Sequence, residues 1–384
     1  MKKKSGLGIN SKIGLGAAIF FQAATMDLSN LKNLNVIIGP NNSGKTYFSY
    51  FIYAVLKIFY ENIGLPKKVA KSLLKRNENY YSEELLKELP IIFHTNEKKF
   101  ENTKINISLD ITDKFDSVDF ENTSKIFGIN NIYFFPAERS GAVLFYKQLF
   151  QSGNDILRKF ELSRDVDILK DVSNYPEPIN EYMKFLNRDF ENRNETEIYK
   201  NVFVNIEDII DGEILVRDDK ILYKNKKDFE LEMGLVSSTV KTLVGFYLYI
   251  KYCAKEGDII FIDEIELNLH PENQRKIMKL INYLSKQGIK FIISTHSPII
   301  TEEIDNMLLF EKVKNKINSE EMKEYGINSE YGLKTSDINV FHLHNKTVEK
   351  IKEKNGEFEI ETFNTVLEET DNLYQTLLFY AEEK

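Results

Sequence analysis

Residues 36–46 read Val-Ile-Ile-Gly-Pro-Asn-Asn-Ser-Gly-Lys-Thr, and this stretch narrows the fold further than any other in the chain. It fits the pattern G-x-x-x-x-G-K-[ST], with Gly39, Gly44, Lys45 and Thr46 in the fixed places. Glycine lets the backbone curl so that its N–H groups point inward at an anion. Leu34–Ile38 before it is a short apolar run suited to a buried strand. Tyr47–Tyr60 after it is rich in Phe, Tyr, Ile and Leu without Gly or Pro, as a core-packed helix should be. A strand, a glycine loop and a helix in this order predict a phosphate cradle at a helix N-terminus. Gly39, Pro40, Asn41, Asn42, Ser43 and Gly44 form its backbone. Lys45 is expected to reach the β- and γ-phosphates of ATP, and the Thr46 hydroxyl to ligate Mg²⁺.

A second cluster completes the pattern. Ile259–Ile262 is four apolar residues, followed by Asp263 and Glu264. In parallel sheets ligands bind just past the carboxyl ends of strands. Asp263 is therefore expected beside the glycine loop as a second Mg²⁺ ligand, and Glu264 as the general base that polarises an attacking water. Phe291–Ser294 repeats the design, and His296 is placed to reach the γ-phosphate from the same edge. An amphipathic stretch at Glu272–Lys286 separates the two strands, and Gly288 ends it. This βαβ order predicts a mainly parallel sheet.

Composition sets the outer limits. The 384 residues carry 42% hydrophobic side chains, enough for a large core with insertions. The 59 acidic residues outnumber the 51 basic ones, so no global nucleic-acid signature exists. Cys253 is the only cysteine and reads as a small buried hydrophobe. It excludes an intramolecular disulfide and a cysteine-cluster metal site. No apolar run of about 18 residues suggests a membrane span. Basic Met1–Lys4 and apolar Gly14–Ala24 resemble a leader, but the run flows into the strand before the glycine loop, so cleavage is not expected and the cytoplasm follows by default.

Elsewhere the chain reads as follows. Strands are expected at Phe20–Ala23, Asn33–Ile38, Asn102–Ile111 and Asn131–Phe135. Helices are expected at Lys67–Arg76, Ser82–Leu89, Val143–Phe150, Asp155–Phe160 and Ile179–Asn192, with Pro176 and Pro178 as interruptions. Val202–Val204, Glu213–Val216 and Lys220–Tyr223 read as a meander turning at Asp218-Asp219. A long apolar helix spans 237–254. Strands at Asn339–Leu343 and Thr347–Ile351, a turn at Asn355-Gly356 and a helix from 363 to 382 close the chain. His342 and His344 face one side of their strand, as a metal pair or as two surface histidines.

GPNNSGKT, FIDEIELNLHP and STHSP, in this order, resemble the ABC-type ATPases of the RecF, SMC and overcoming-lysogenization-defect group. The resemblance covers the glycine-loop region and residues 230–310. It implies an α/β P-loop NTPase of the ABC-ATPase head type: a mainly parallel central sheet with an N-terminal antiparallel part and a helical insertion. The implied parts are 1–140 with the phosphate loop, 141–230 as insertion and meander, 231–310 with signature, Walker B and H-loop, and 311–384 completing the head. Glu266–Pro271 matches the D-loop. In this group two heads sandwich ATP, so a homodimer or higher homo-oligomer is implied. Ser237 and Ser238, at the matching signature position, are expected to bind the other subunit's nucleotide. Thr239 departs from the usual signature glycine. Where a Q-loop glutamine is expected, the chain has Phe135–Ser140. Gln148 lies too far along to substitute, and Arg139 reads either as a contact to phosphate or a neighbouring head, or as a surface salt bridge. Residues 311–384 are too short for the nuclease domain of a related branch.

Stand-alone ATPases of this type resemble the ATP-binding subunits of bacterial anti-phage systems. The reading that follows is an ATPase whose nucleotide state gates a separate effector such as a nuclease. Two others stay open. One is a RecF-like repair ATPase binding DNA through Lys67, Lys68, Lys71, Lys75 and Arg76. The other is a nucleotide-binding scaffold with negligible turnover.

Overall fold

The computed structural model describes residues 9–16, 23–27, 31–63, 86–90, 92–93, 104–111, 130–149, 151, 175–202, 206–344, 347–352, 358 and 372–378. Its frame is a nine-stranded sheet. In chain order the strands are β1 (Ile9–Gly16), β2 (Ala23–Asp27), β3 (Leu34–Ile38), β4 (Lys104–Ile111), β5 (Ile132–Phe135), β9 (Ile259–Ile262), β10 (Lys290–Thr295), β11 (Ile338–His344) and β12 (Thr347–Ile351). Across the sheet they lie β4-β1-β2-β12-β11-β3-β10-β9-β5. The run from β11 to β5 is parallel throughout. The other end is mostly antiparallel, where β1 pairs with β2 and β4 and β11 with β12. A separate antiparallel sheet holds β6 (Gly212–Arg217), β7 (Lys220–Asn225) and β8 (Glu230–Glu232).

Strands β3, β5, β9 and β10 are short and mainly apolar because both faces of the sheet are covered there. Side chains alternate, so one strand feeds two cores. Leu34, Val36 and Ile38 join one core, as do Ile260, Ile262, Phe291 and Ile293. Ile37, Ile259, Phe261 and Ile292 join the other, with Phe48, Phe51, Ile52 and Val55 of α1 (Lys45–Ile63). The first core is closed by α2 (residues 139–149), α3 (Glu177–Leu186), α6 (Ser238–Tyr252), α7 (Pro271–Lys286) and α8 (Pro298–Val313). Two short helices, α4 (Glu197–Lys200) and α5 (Ile206–Ile210), precede β6, and α9 (Ser319–Glu324) follows α8.

Several expectations shift. Pro176 and Pro178 do not interrupt a helix; they start α3, where a missing N–H removes no intrahelical bond. That helix ends at Leu186 rather than 192, because Asp189 accepts from the Glu191 N–H and the Asn192 amide and stabilises a turn. The Asp218-Asp219 turn is present, both residues having positive φ, as a two-residue hairpin demands. Its third strand is Glu230–Glu232, after β7, rather than 202–204; of those only Val202 is described, and it is not in a strand. The strand expected at Phe20–Ala23 is found at Ala23–Asp27, with 20–22 outside the described residues. Residues 86–90 and 372–378 are helical. The expected elements at Lys67–Arg76, Asp155–Phe160 and Asn355-Gly356 lie outside the described residues.

Register levels the strand ends. Ile38 pairs with Thr295 and His342, and Ile262 with Ile293 and Phe135. The segments after β3, β10, β9 and β5 therefore rise from one edge. A buried asparagine helps fix that register. The Asn35 amide donates to Lys32 O at 2.8 Å and Phe291 O at 3.0 Å, and its oxygen accepts from Asn339 Nδ2 at 2.9 Å. Replacing Asn35 with Ala leaves those buried groups short of partners. It is expected to lower the unfolding free energy by about 1–3 kcal/mol in urea titrations.

Candidate active site

The loop after β3 takes the expected shape. Asn42 and Gly44 have φ of 62° and 99°, the left-handed region that curls a chain tightly. Gly39 has no room for a side chain: a Cβ there would lie 2.5 Å from Leu343 O and 2.8 Å from Ser43 Oγ. Gly39–Gly44 thus form a tight cradle packed on β11, and Lys45 and Thr46 open α1. The first amides of a helix have no partner one turn back, so this end presents free N–H groups.

Lys45 is buried, and its ammonium donates to Gly39 O at 2.8 Å and Pro40 O at 2.9 Å. Burial pulls its pKa below 10.5, while Glu266, Asp263 and Glu264 push it back up. The cation thus sits in the mouth of its own loop, facing three carboxylates.

Thr46 and Asp263, 217 positions apart, meet: the Thr46 hydroxyl donates to Asp263 Oδ2 at 2.7 Å. The other Asp263 oxygen accepts from the Ser294 hydroxyl. Ser294 Oγ also accepts from the Glu264 N–H at 2.9 Å, and Ser294 O accepts from the Ile265 N–H at 3.1 Å. One serine on β10 thereby holds the turn that follows β9. Glu264 has φ of 47°, which non-glycine residues rarely adopt.

His296 is half-buried. Its Nδ1 lies 3.0 Å from Glu266 Oε1, which also accepts its backbone N–H at 2.6 Å. The facing Glu266 carboxylate raises the imidazole pKa above 6.5 despite partial burial, with Glu264 adding and Lys45 subtracting. Burial pushes Glu266 up, but the bonds from His296 outweigh it and leave the carboxyl below 4.5. Glu138 follows β5, and desolvation raises its carboxyl, with Asp263 and Glu264 adding to the shift.

The structure thus gathers Gly39–Thr46, Asp263, Glu264 and His296 at one sheet edge. Ser237 and Ser238 are exposed at the start of α6; Ser237 caps the helix by accepting from the Val240 N–H at 3.3 Å. Among the described residues neither bonds to the loop or to the carboxylates. Thr239, the departure from the signature glycine, donates to Asn268 O at 2.7 Å, tying α6 to the D-loop segment. Gln148 is exposed on α2. Arg139 overturns both readings given to it. It is buried, and its hydrogen bonds go to main-chain carbonyls of Pro136, Asp263 and Glu264, so it is neither a surface salt bridge nor a phosphate contact. The rings of His342 and His344 stack at 5.8 Å, and no third metal-ligating side chain joins them among the described residues. Sequence reading missed Ser294 and the partnership of Glu266 with His296. The signal available was a polar residue ending an otherwise apolar strand beside a motif carboxylate.

The family described as "AAA domain, putative AbiEii toxin, Type IV TA system" matches residues 34–302, more than half of the chain. The chain belongs to this family. Its AAA-domain match, its glycine loop and its mostly parallel sheet make it an α/β P-loop NTPase. Among solved structures it is similar to the Smc head domain from Pyrococcus furiosus bound to the C-terminal domain of ScpA, with 13% identity, 94% of this chain and 99% of that chain covered, and a TM-score of 0.34. It is similar to the SMC head domain from Thermotoga maritima at 12% identity, over 90% and 99% of the chains, with a TM-score of 0.33. The ATP-binding cassette of an ABC transporter in its ADP conformation is similar at 12% identity, over 90% and 91% of the chains, with a TM-score of 0.32. No helix among the described residues of this AAA-domain protein is long and apolar enough to cross a membrane.

The residues present fit a magnesium nucleotide. The Ser43 hydroxyl is buried without a hydrogen-bond partner beside the cradle. A lysine in the loop mouth suits a triphosphate. A threonine hydroxyl against a carboxylate is the oxygen set a hard cation takes.

The His296–Glu266 pair has a signed pH consequence. A His pKa raised above 6.5 adds stability that is full below 6.5 and is lost as pH rises through the folded value. The lowered Glu266 adds stability that is full above 4.5 and is lost as pH falls through its folded value. The two overlap between 4.5 and 6.5. The stability advantage of wild type over Glu266→Gln should therefore shrink as pH rises above 6.5 and through the folded-state value in urea unfolding. A constant difference across that range would show that the pair does not titrate as described.

Proposed function

We propose that this chain binds and hydrolyses ATP, dimerises around it, and uses its nucleotide state to gate a separate effector protein in defence against phage. The observation that carries the catalytic part is the bond between Thr46 and Asp263, which brings the glycine loop and the carboxylate strand to one point. The family's description, which includes a toxin–antitoxin system, supports a protein that works with a partner.

In this reading Lys45 and the 39–46 amides hold the triphosphate. Thr46 and Asp263 hold Mg²⁺, which when bound neutralises phosphate charge. Glu264 takes a proton from water as that oxygen bonds to the γ-phosphorus and the bond to ADP breaks. His296, held against Glu266, faces the same phosphate. Ser237 and Ser238 of a second copy close the site from the other side, their exposure at a helix start suiting an anion held between subunits. Losing the γ-phosphate then loosens the pair and releases the effector.

Lys45→Ala is expected to abolish ATP binding. Glu264→Gln should keep binding, lose turnover by a factor of about 100 or more, and hold a dimer in native mass measurements with ATP. Normal hydrolysis by Glu264→Gln would remove Glu264 as the base. ATP binding by a wild type as inert as that variant would favour the scaffold reading instead.

A further inference from the structure

Arg139 stands at the start of α2, 3% exposed. Its Nη1 donates to Pro136 O at 2.9 Å and Asp263 O at 2.5 Å, and its Nη2 to Glu264 O at 2.7 Å. Two of these acceptors are consecutive carbonyls on the pair of residues that carries the chemistry. Consecutive carbonyls of an extended strand point in opposite directions. Here both turn to one guanidinium, and the backbone between them adopts the left-handed conformation at Glu264.

The rest of that turn is pinned as well. The Asp263 N–H donates to Phe135 O at 2.9 Å, and the Glu264 N–H to Ser294 Oγ at 2.9 Å. The amides are thus held by β5 and β10, and the carbonyls by Arg139. The guanidinium holds the main chain while leaving the Asp263 carboxylate to Thr46 and Ser294. Burial lowers its pKa, and Tyr182, Asp263, Glu266 and Glu264 counter that only in part. A lysine could not replace it: a planar fork reaches several acceptors at once, whereas an ammonium is a single point.

We infer that Arg139 is a positioning residue for hydrolysis, holding the left-handed turn at Glu264 and so aiming the Glu264 carboxylate. This rests on the reading of Glu264 as the base. It also assigns a task to the segment that departs from the Q-loop pattern: Pro136–Arg139 clamps the end of β9 to the end of β5.

The test uses full-length Arg139→Lys, Glu264→Gln and the double variant. Arg139→Lys should melt near wild type and bind a non-hydrolysable ATP analogue with Mg²⁺ within about threefold of wild type. Its kcat should fall about 100-fold with KM little changed, as a displaced catalytic group predicts. In the Glu264→Gln background the same change should cost nothing further, because Arg139 acts through Glu264. A crystal structure of Arg139→Lys should show Glu264 out of the left-handed region. Full turnover by Arg139→Lys, an additive loss in the double variant, or an unchanged Glu264 backbone would each overturn the inference. So would a variant that melts far below wild type and loses binding along with turnover, since Arg139 would then be structural. If Glu264→Gln itself hydrolyses ATP at the wild-type rate, the base assignment fails, and the Glu264 conformation in the Arg139→Lys crystal alone decides whether the clamp exists.

Discussion

The structure depends on one carboxylate with two fixed neighbours. Asp263 receives the Thr46 hydroxyl on one oxygen and the Ser294 hydroxyl on the other. Those three residues end or follow three adjacent parallel strands, β9, β3 and β10. Parallel register holds their ends level, so residues distant in the chain meet without a dedicated linker. A strand slip of one residue would send Asp263 to the opposite face of the sheet. The Asn35 bridge to Lys32, Phe291 and Asn339 guards against that slip.

Around this point charge is gathered densely. Asp263, Glu264 and Glu266 face Lys45 from one side and the Arg139 guanidinium from another. Opposite charges about 4 Å apart near a protein surface are worth roughly 4 kcal/mol, and like charges cost as much. The site eases that repulsion by giving two of them donors: the Thr46 and Ser294 hydroxyls for Asp263, and the backbone amide of His296 for Glu266, with the His296 ring 3.0 Å away. Lys45 is held in turn by the carbonyls of Gly39 and Pro40. The loop is therefore already wrapped around a cation, and it need not be organised by its ligand. Pre-formed sites of this kind avoid an ordering cost on binding.

Much of this was legible in the sequence, and unevenly so. The glycine loop, the acid pair after Ile262 and His296 could be placed because each follows an apolar strand, and strand ends of a parallel sheet share an edge. The Asp218-Asp219 hairpin was readable because short polar residues tolerate positive φ. Arg139 was not readable. An arginine in a polar stretch normally points to water, and nothing local announces three carbonyls arriving from elsewhere. Ser294 and Glu266 escaped for the same reason: their partners are set by tertiary packing. The start of α3 was misread because proline usually breaks a helix, yet in a first turn it begins one.

The strand that carries the phosphate loop has neighbours of very different age. β3 pairs on one side with β10 and on the other with β11, and Leu343 O presses on Gly39 itself. On a ribosome, the 338–344 strand emerges some three hundred positions after residues 34–46. Over that interval β3 lacks its β11 neighbour, and its loop has no wall behind it. The wall behind the glycine loop is therefore in place only once β11 has closed against β3.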